Sequence, residues 1–230
     1  MSPMPRPTFL NTPPDTDMPE ADCRTPAPDI VALVLAAGKG SRFDASGARY
    51  KPVQPLADGT PMVYAVCHTL LQHTDAVTVV CGPQQEAVRN ALGGLPVNLI
   101  HCADADMGMS ASLRCGISHS PARVGWIIAL ADMPCIHTNT VQAVATRLRQ
   151  DGLIIRPQFQ NRPGHPVAFA SQFKDELLQV TGDEGARAIV QRHPEALTLI
   201  PVNDPGCLLD IDTQEQLQQL GKASGLPARP

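Results

Sequence analysis

Residues 30–51 constrain this chain more than any other stretch. Ile30 to Leu35 are six consecutive apolar residues rich in Val, Leu and Ile, the pattern of a parallel strand covered on both faces. The strand runs directly into Ala36-Ala37-Gly38-Lys39-Gly40-Ser41-Arg42, small residues with two glycines and then cations. Glycines at the carboxyl end of a buried strand let backbone N–H groups approach a ligand closely, and such amides attract anions. Lys39, Arg42, Arg49 and Lys51 add positive charge suited to phosphate. An ordinary tight turn from strand to helix explains Gly-x-Gly alone equally well. The P-loop pattern GxxxxGK[ST] is excluded, because Leu33 stands where its first glycine belongs and Gly40 follows Lys39. The dinucleotide fingerprint is excluded too, since Phe43 occupies the place of its third small residue.

Downstream, apolar strand patterns alternate with helical ones. Strands are expected at 77–81, 97–101, 125–130, 153–156, 166–169 and 197–202. Helices are expected at 61–71, 84–92, 109–119, 139–149, 171–180, 184–193 and 213–220. Alternation of this kind predicts an α/β fold, three layers with a mostly parallel central sheet. The 230 residues suffice for one such domain, here bounded at 29–221. Residues 1–28 are proline-rich with little apolar content and are expected to be a disordered extension, with 222–230 a flexible tail. A net charge of −4 and only 3% aromatic residues argue against general nucleic-acid binding. No apolar run reaches the ~18 residues that span a bilayer, and no secretory h-region is visible. Seven scattered cysteines without a Cys-x-x-Cys pair fit a reduced, cytoplasmic protein.

Open α/β sheets bind ligands at the carboxyl ends of their strands. Gly82, which ends the 77–81 strand, therefore joins the candidate contacts. Gly108-Met109-Ser110-Ala111-Ser112-Leu113 brings two hydroxyls to a helix start, either as helix caps or as readers of a base edge. Asp132, in Leu130-Ala131-Asp132-Met133-Pro134, ends a strongly apolar strand; it either caps the next helix or binds a divalent cation. Asp210 and Asp212 offer a second carboxylate before the last helix, where Asp212 could equally serve as the N-cap of the residues from Thr213 onward. Arg162 and His165, in Asn161-Arg162-Pro163-Gly164-His165-Pro166, sit in a rigid polar turn suited either to structure or to orienting a second, phosphate-bearing substrate. Arg187, in Gly182-Asp183-Glu184-Gly185-Ala186-Arg187, is a weaker candidate of the same kind.

Together these motifs resemble the molybdenum cofactor cytidylyltransferase group of the MobA-like nucleotidyltransferases. The matching stretches are Leu35 to Arg42, Gly108 to Leu113, Leu130 to Pro134, Arg162 to Pro166, Gly182 to Arg187 and Asp210 to Thr213, in the family's order. The resemblance implies a Rossmann-like nucleotidyltransferase that moves CMP from CTP to the terminal phosphate of molybdopterin and releases pyrophosphate. It implies catalytic roles for Arg42, Lys51 and Asp132, and Mg²⁺ held by Asp132 and Asp210. Nucleotide contacts would come from Leu35, Ala36, Ala37, Gly38, Gly40, Ser41, Arg42, Lys51, Gly82, Ser110 and Ser112, with Ser112 at the base and Arg162 and His165 at the acceptor. A molybdoenzyme or its chaperone is the implied protein partner. GTP, a different phosphorylated acceptor, and a non-catalytic nucleotide-binding chaperone are the alternatives. The first loop departs from the family pattern: Phe43-Asp44 follows Arg42, and Ala45 to Ala48 lengthen the path to Lys51.

Overall fold

A computed structural model describes residues 26–38, 40–46, 48–182 and 185–223. Most of the expected 1–28 extension, Lys39, Asp183, Glu184 and the end of the 222–230 tail lie outside these residues. The carbonyl of Pro28 accepts a hydrogen bond from the Arg123 N–H at 2.9 Å.

Strand β1 (Ile30–Leu35) is the centre of an eight-stranded sheet. It pairs in parallel with β2 (Ala76–Cys81) on one side and β4 (Gly125–Leu130) on the other, and β2 pairs in parallel with β3 (Asn98–His101). Beyond β4 comes β7 (Val167–Ala170), antiparallel to both β4 and β5 (Ile154–Phe159). The two-residue β6 (Arg162–Pro163) closes a hairpin on β5, whose other edge pairs in parallel with β8 (Leu197–Pro201). The sheet is therefore mostly parallel, and each of its antiparallel pairings involves β6 or β7.

Helices cover both faces. The first layer is α1 (Met62–Leu71), α2 (Gln85–Ala91) and α4 (Thr138–Arg149), and its core joins Val63, Val66 and Val144 to Ile30, Ala32 and Val79 of the strands. The second layer is α3 (Met109–His119), α5 (Lys174–Gln179) and α6 (Arg187–Arg192), packed on Val31, Leu33, Trp126 and Phe169. Alternate residues of β1 thus serve opposite layers, as a fully covered strand requires. The last helix, α7 (Gln214–Ala223), lies near a small third cluster of Phe43, Met62 and Ile211. The observed elements follow the sequence pattern closely. The exceptions are β5, which runs past 156 to Phe159 and pairs with the unexpected β6, the 171–180 segment, which divides into a 3₁₀ turn and α5, and a helix near 184–193 that begins only at Arg187.

Candidate nucleotide and acceptor site

The carboxyl ends of β1 and β4 build the site. Pairing continues past both strands: the Ala36 N–H donates to the Val80 carbonyl at 2.9 Å, and the Ala131 N–H to the Leu35 carbonyl at 3.2 Å. These bonds hold the glycine loop and Asp132 side by side. Gly40 has φ of +60°, the left-handed region that glycine adopts without steric cost, and a Cβ there would lie 3.3 Å from the Lys51 Cβ. The loop then returns over the strand ends, where the Tyr50 hydroxyl donates to the Ala36 carbonyl. Asp44 ties the inserted turn by accepting from the Ser46 and Arg49 N–H groups at 3.0 and 2.7 Å.

Phe43, the departure from the family pattern, has a structural role. Its ring is buried against Met62 and Ile211. The Ile211 N–H in turn donates to the Asp132 carbonyl at 2.9 Å. One apolar contact and one backbone bond therefore dock the segment before α7 between the glycine loop and the end of β4.

Docked this way, the segment brings Asp212 to the site. Lys51 Nζ lies 2.6 Å from Asp132 Oδ2 and 3.1 Å from Asp212 Oδ1, and Arg42 Nη1 lies 2.6 Å from Asp212 Oδ2. Lys51 is 11% exposed and Arg42 80%, so the lysine is fixed inside the cluster while the arginine reaches it from solvent. Asp210, the expected second metal contact, is exposed, and no ion pair places it beside Lys51 or Asp132. Asp212, the alternative, is the carboxylate brought beside Lys51 with Asp132.

A cavity of about 220 Å³ opens over this cluster. Leu35, Ala36, Gly38, Gly40, Ser41 and Arg42 line it together with Lys51, Asp132 and Asp212. Asp132 Oδ1 is buried and has no hydrogen-bond partner. A buried, unpaired carboxylate oxygen is costly, and a bound cation removes that cost. Among the described residues no cluster of three or more His, Cys, Asp or Glu exists to enclose a metal. A pair of carboxylates with an open cavity instead suits Mg²⁺, which takes one or two carboxylates and fills its sphere with phosphate oxygens and water. The residues present therefore fit such an ion.

A second, larger cavity of about 610 Å³ shares Leu35 with the first. Its walls are Leu35, Ile128, Leu130 and Val167 from the sheet and Met109 and Leu113 from α3; Arg156, His165 and Arg187 are its polar lining. His165 Nδ1 is buried without a partner. Burial, and then the Arg156 charge, push the His165 imidazole down to about 4, so it is neutral at pH 7. Arg162 is exposed and lines neither cavity. Arg156, which the sequence did not single out because it reads as one polar residue within a strand, lines the second instead. Its Nε donates to the Gly164 carbonyl at 3.1 Å and an Nη to the Pro163 carbonyl at 3.3 Å, which fixes the guanidinium.

Ala37, Gly82, Ser110 and Ser112, the remaining expected contacts, are not among the residues that line either cavity. Ala37 is buried beside Gly82, whose Cβ position would lie 3.8 Å from the Ala37 methyl. Ser110 and Ser112 are buried at the start of α3, and the Ser110 hydroxyl has no partner.

Residues 32–197 match the model of the MobA-like NTP transferase domain. The chain belongs to this family. Over 85% of its length it is 26% identical to a nicotine blue oxidoreductase of Paenarthrobacter nicotinovorans, covering 98% of that protein. Over 82% it is 27% identical to a molybdenum cofactor guanylyltransferase of Cupriavidus metallidurans, covering 93% of it. Among solved structures, Rv0371c of Mycobacterium tuberculosis superposes with a TM-score of 0.73 at 26% identity, over 86% of this chain and all of that one. Rv0371c has also been solved in complex with manganese; that structure gives a TM-score of 0.68 at 25% identity, over 85% and 99% of the two chains. A nucleotidyl transferase from Methanothermobacter, Mth528, shares the fold with a TM-score of 0.71 at 21% identity, over 85% and 97%. No helix among the described residues is long and apolar enough to cross a membrane.

Proposed function

We propose that the protein transfers CMP from CTP to the terminal phosphate of molybdopterin and releases pyrophosphate. The observation that carries the reading is the Asp132–Lys51–Asp212 cluster beneath the glycine loop, with one Asp132 oxygen unpaired. An acceptor phosphate, with a second pKa of about 6, is largely a dianion at neutral pH and attacks the α-phosphorus without an enzyme nucleophile. The bond from the α-phosphorus to the leaving oxygen breaks as the new one forms. Catalysis then consists of aligning two phosphates and neutralising charge. The amides of Gly40 and Ser41 receive the triphosphate, and Arg42 and Lys51 meet the charge that collects on the leaving pyrophosphate. Asp132 and Asp212, rather than Asp210, hold Mg²⁺. When bound, the ion would neutralise charge on the phosphates, and the manganese complex of Rv0371c supports a divalent cation in this fold.

One relative carries the name of an oxidoreductase. Two carboxylates and a lysine at a glycine loop favour phosphate chemistry over that reading, and they also speak against a non-catalytic chaperone. The product would pass to a molybdoenzyme or its chaperone in the cytoplasm.

Base choice rests on Ala37. Its methyl lies beside Gly82 and would narrow the space a base enters, while Ser112, at the start of α3, would read the edge of cytosine. A polar site left unpaired against the wrong base loses binding energy. In a pyrophosphate-release assay with molybdopterin as acceptor, kcat/KM for CTP should exceed that for GTP by at least about tenfold, roughly 1.4 kcal/mol. Ala37→Gly should relax the preference. Equal use of both triphosphates, or preference for GTP, would refute the cytidylyl assignment and place the protein with guanylyltransferases such as its Cupriavidus relative.

A further inference from the structure

We infer that Gln214 is a positioning residue: its carboxamide keeps Asp212 in register with the glycine loop once Arg42 and Lys51 have turned to phosphate, an assignment that rests on the proposed function for what those two cations meet.

The stretch that lengthens the first loop is built to reach α7. The Asp44 carboxylate accepts from the Ser46 N–H and hydroxyl at 3.0 and 2.7 Å and from the Arg49 N–H at 2.7 Å. These bonds fold the chain after Phe43 back on itself. Gln214, in the first turn of α7, meets that fold at two points. Its Nε2 donates to the Phe43 carbonyl at 3.1 Å, and its Oε1 accepts from Arg49 Nη1 at 2.7 Å. One carboxamide thus spends its donor and its acceptor on the same loop.

The helix end that carries Gln214 is stiff. Thr213 and Gln216 form a capping box. The Gln216 N–H donates to Thr213 Oγ1 at 3.2 Å, and Gln216 Oε1 accepts from the Thr213 and Asp212 N–H groups at 2.9 and 2.6 Å. Asp212 and Gln214 flank Thr213 in this capped turn. A grip on Gln214 is therefore a grip on the Asp212 backbone.

The ties between this segment and the site respond differently to substrate. Arg42 and Lys51 hold Asp212 through charge, Phe43 holds Ile211 through apolar contact, and Gln214 holds the loop through a neutral amide. The ionic ties use the groups that a triphosphate and its cation need. Arg42 and Lys51 form charge-assisted bonds to phosphate oxygens, and a carboxylate bound to a metal gives up its ammonium and guanidinium partners. The carboxamide competes for neither. Filling the site therefore shifts the holding of Asp212 from charge onto Gln214 and Ile211. A displacement of about 1 Å can cost about a hundredfold in rate, so the amide matters most when the site is full.

The test uses the full chain with Gln214→Met, which keeps the length and helix preference of the side chain and removes both hydrogen bonds. Hydrogen exchange of the Ile211 N–H, which donates to the Asp132 carbonyl, reports whether the segment is docked. In the free protein this exchange should stay within about twofold of the unmodified chain, because the ionic ties still hold. With Mn²⁺ and CTP bound it should quicken at least about fivefold, and Mn²⁺ titrated in the presence of CTP should bind at least about fivefold more weakly. Arg42→Gln supplies a comparison that needs no ligand. It cuts one ionic tie, so adding Gln214→Met to it should quicken Ile211 exchange in the free protein at least about fivefold beyond the product of the two single effects. Unchanged exchange and Mn²⁺ affinity in the loaded Gln214→Met protein would overturn the inference. So would equal quickening in the free and loaded states, the mark of a merely structural residue. If the unmodified chain binds no CTP, the nucleotidyl-transfer reading falls and the Arg42→Gln comparison decides alone: single effects that merely multiply would overturn the tie.

Discussion

Asp132→Asn should lower kcat by about a thousandfold or more, roughly 4 kcal/mol of transition-state stabilisation, at saturating Mg²⁺. The substitution keeps the shape of the side chain and removes its charge. That charge has two uses in the structure. One oxygen accepts from Lys51 at 2.6 Å, and the other is buried and unpaired, the place for a cation. An amide satisfies neither: its nitrogen would face the ammonium or the metal, and its oxygen carries only a partial charge. Stability should change little by comparison. The pair is partly exposed at Asp132, and such ion pairs contribute up to about 1 kcal/mol. A turnover assay paired with a thermal melt separates the two effects. Near wild-type turnover would remove Asp132 from the mechanism, and a collapse of the melting temperature would make its role structural.

Lys51→Ala is the second large effect expected. Lys51 is nearly buried and bridges both carboxylates, so its ammonium lies at the groups that would hold the cation. Once a metal takes the carboxylates, the same ammonium is free to follow the charge that moves onto pyrophosphate. Removing one preorganised donor of that kind costs about 10²–10³ in kcat. We expect kcat and kcat/KM to fall together, the signature of an interaction made mainly in the transition state. Metal affinity in the absence of nucleotide should rise, because no lysine competes for Asp132 and Asp212. If KM for CTP alone increases, Lys51 serves ground-state binding and its assigned role is wrong.

Much of this was legible in the sequence, for physical reasons that differ from residue to residue. The β1 strand announces itself because burial on both faces demands an unbroken apolar run, and the glycine loop because an anion site needs exposed amides. The direction of β7 was not legible. Apolar residues record burial, and the backbone pairing that decides parallel or antiparallel leaves no trace in them. The choice between Asp210 and Asp212 was equally hidden. It depends on the buried Ile211 and its hydrogen bond to the Asp132 carbonyl, a contact across 79 residues of chain (211 − 132). Phe43 read as a departure from a pattern, and only its packing on Met62 and Ile211 shows that it anchors the loop. Arg156 was missed because a single charge inside a strand pattern is ordinary. Its meaning comes from Arg187, which reaches the same cavity from α6.

The central claim is that one metal and one triphosphate meet over Asp132, Lys51 and Asp212. Crystals of the full chain grown with Mn²⁺ and CTP, measured at the manganese absorption edge, test it directly. The account predicts an anomalous peak bound by Asp132 and Asp212, with the triphosphate oxygens along Gly40 and Ser41 and the Lys51 ammonium drawn off the carboxylates onto phosphate. A manganese peak elsewhere, or a triphosphate bound away from the glycine loop with Lys51 still bridging Asp132 and Asp212, would contradict it.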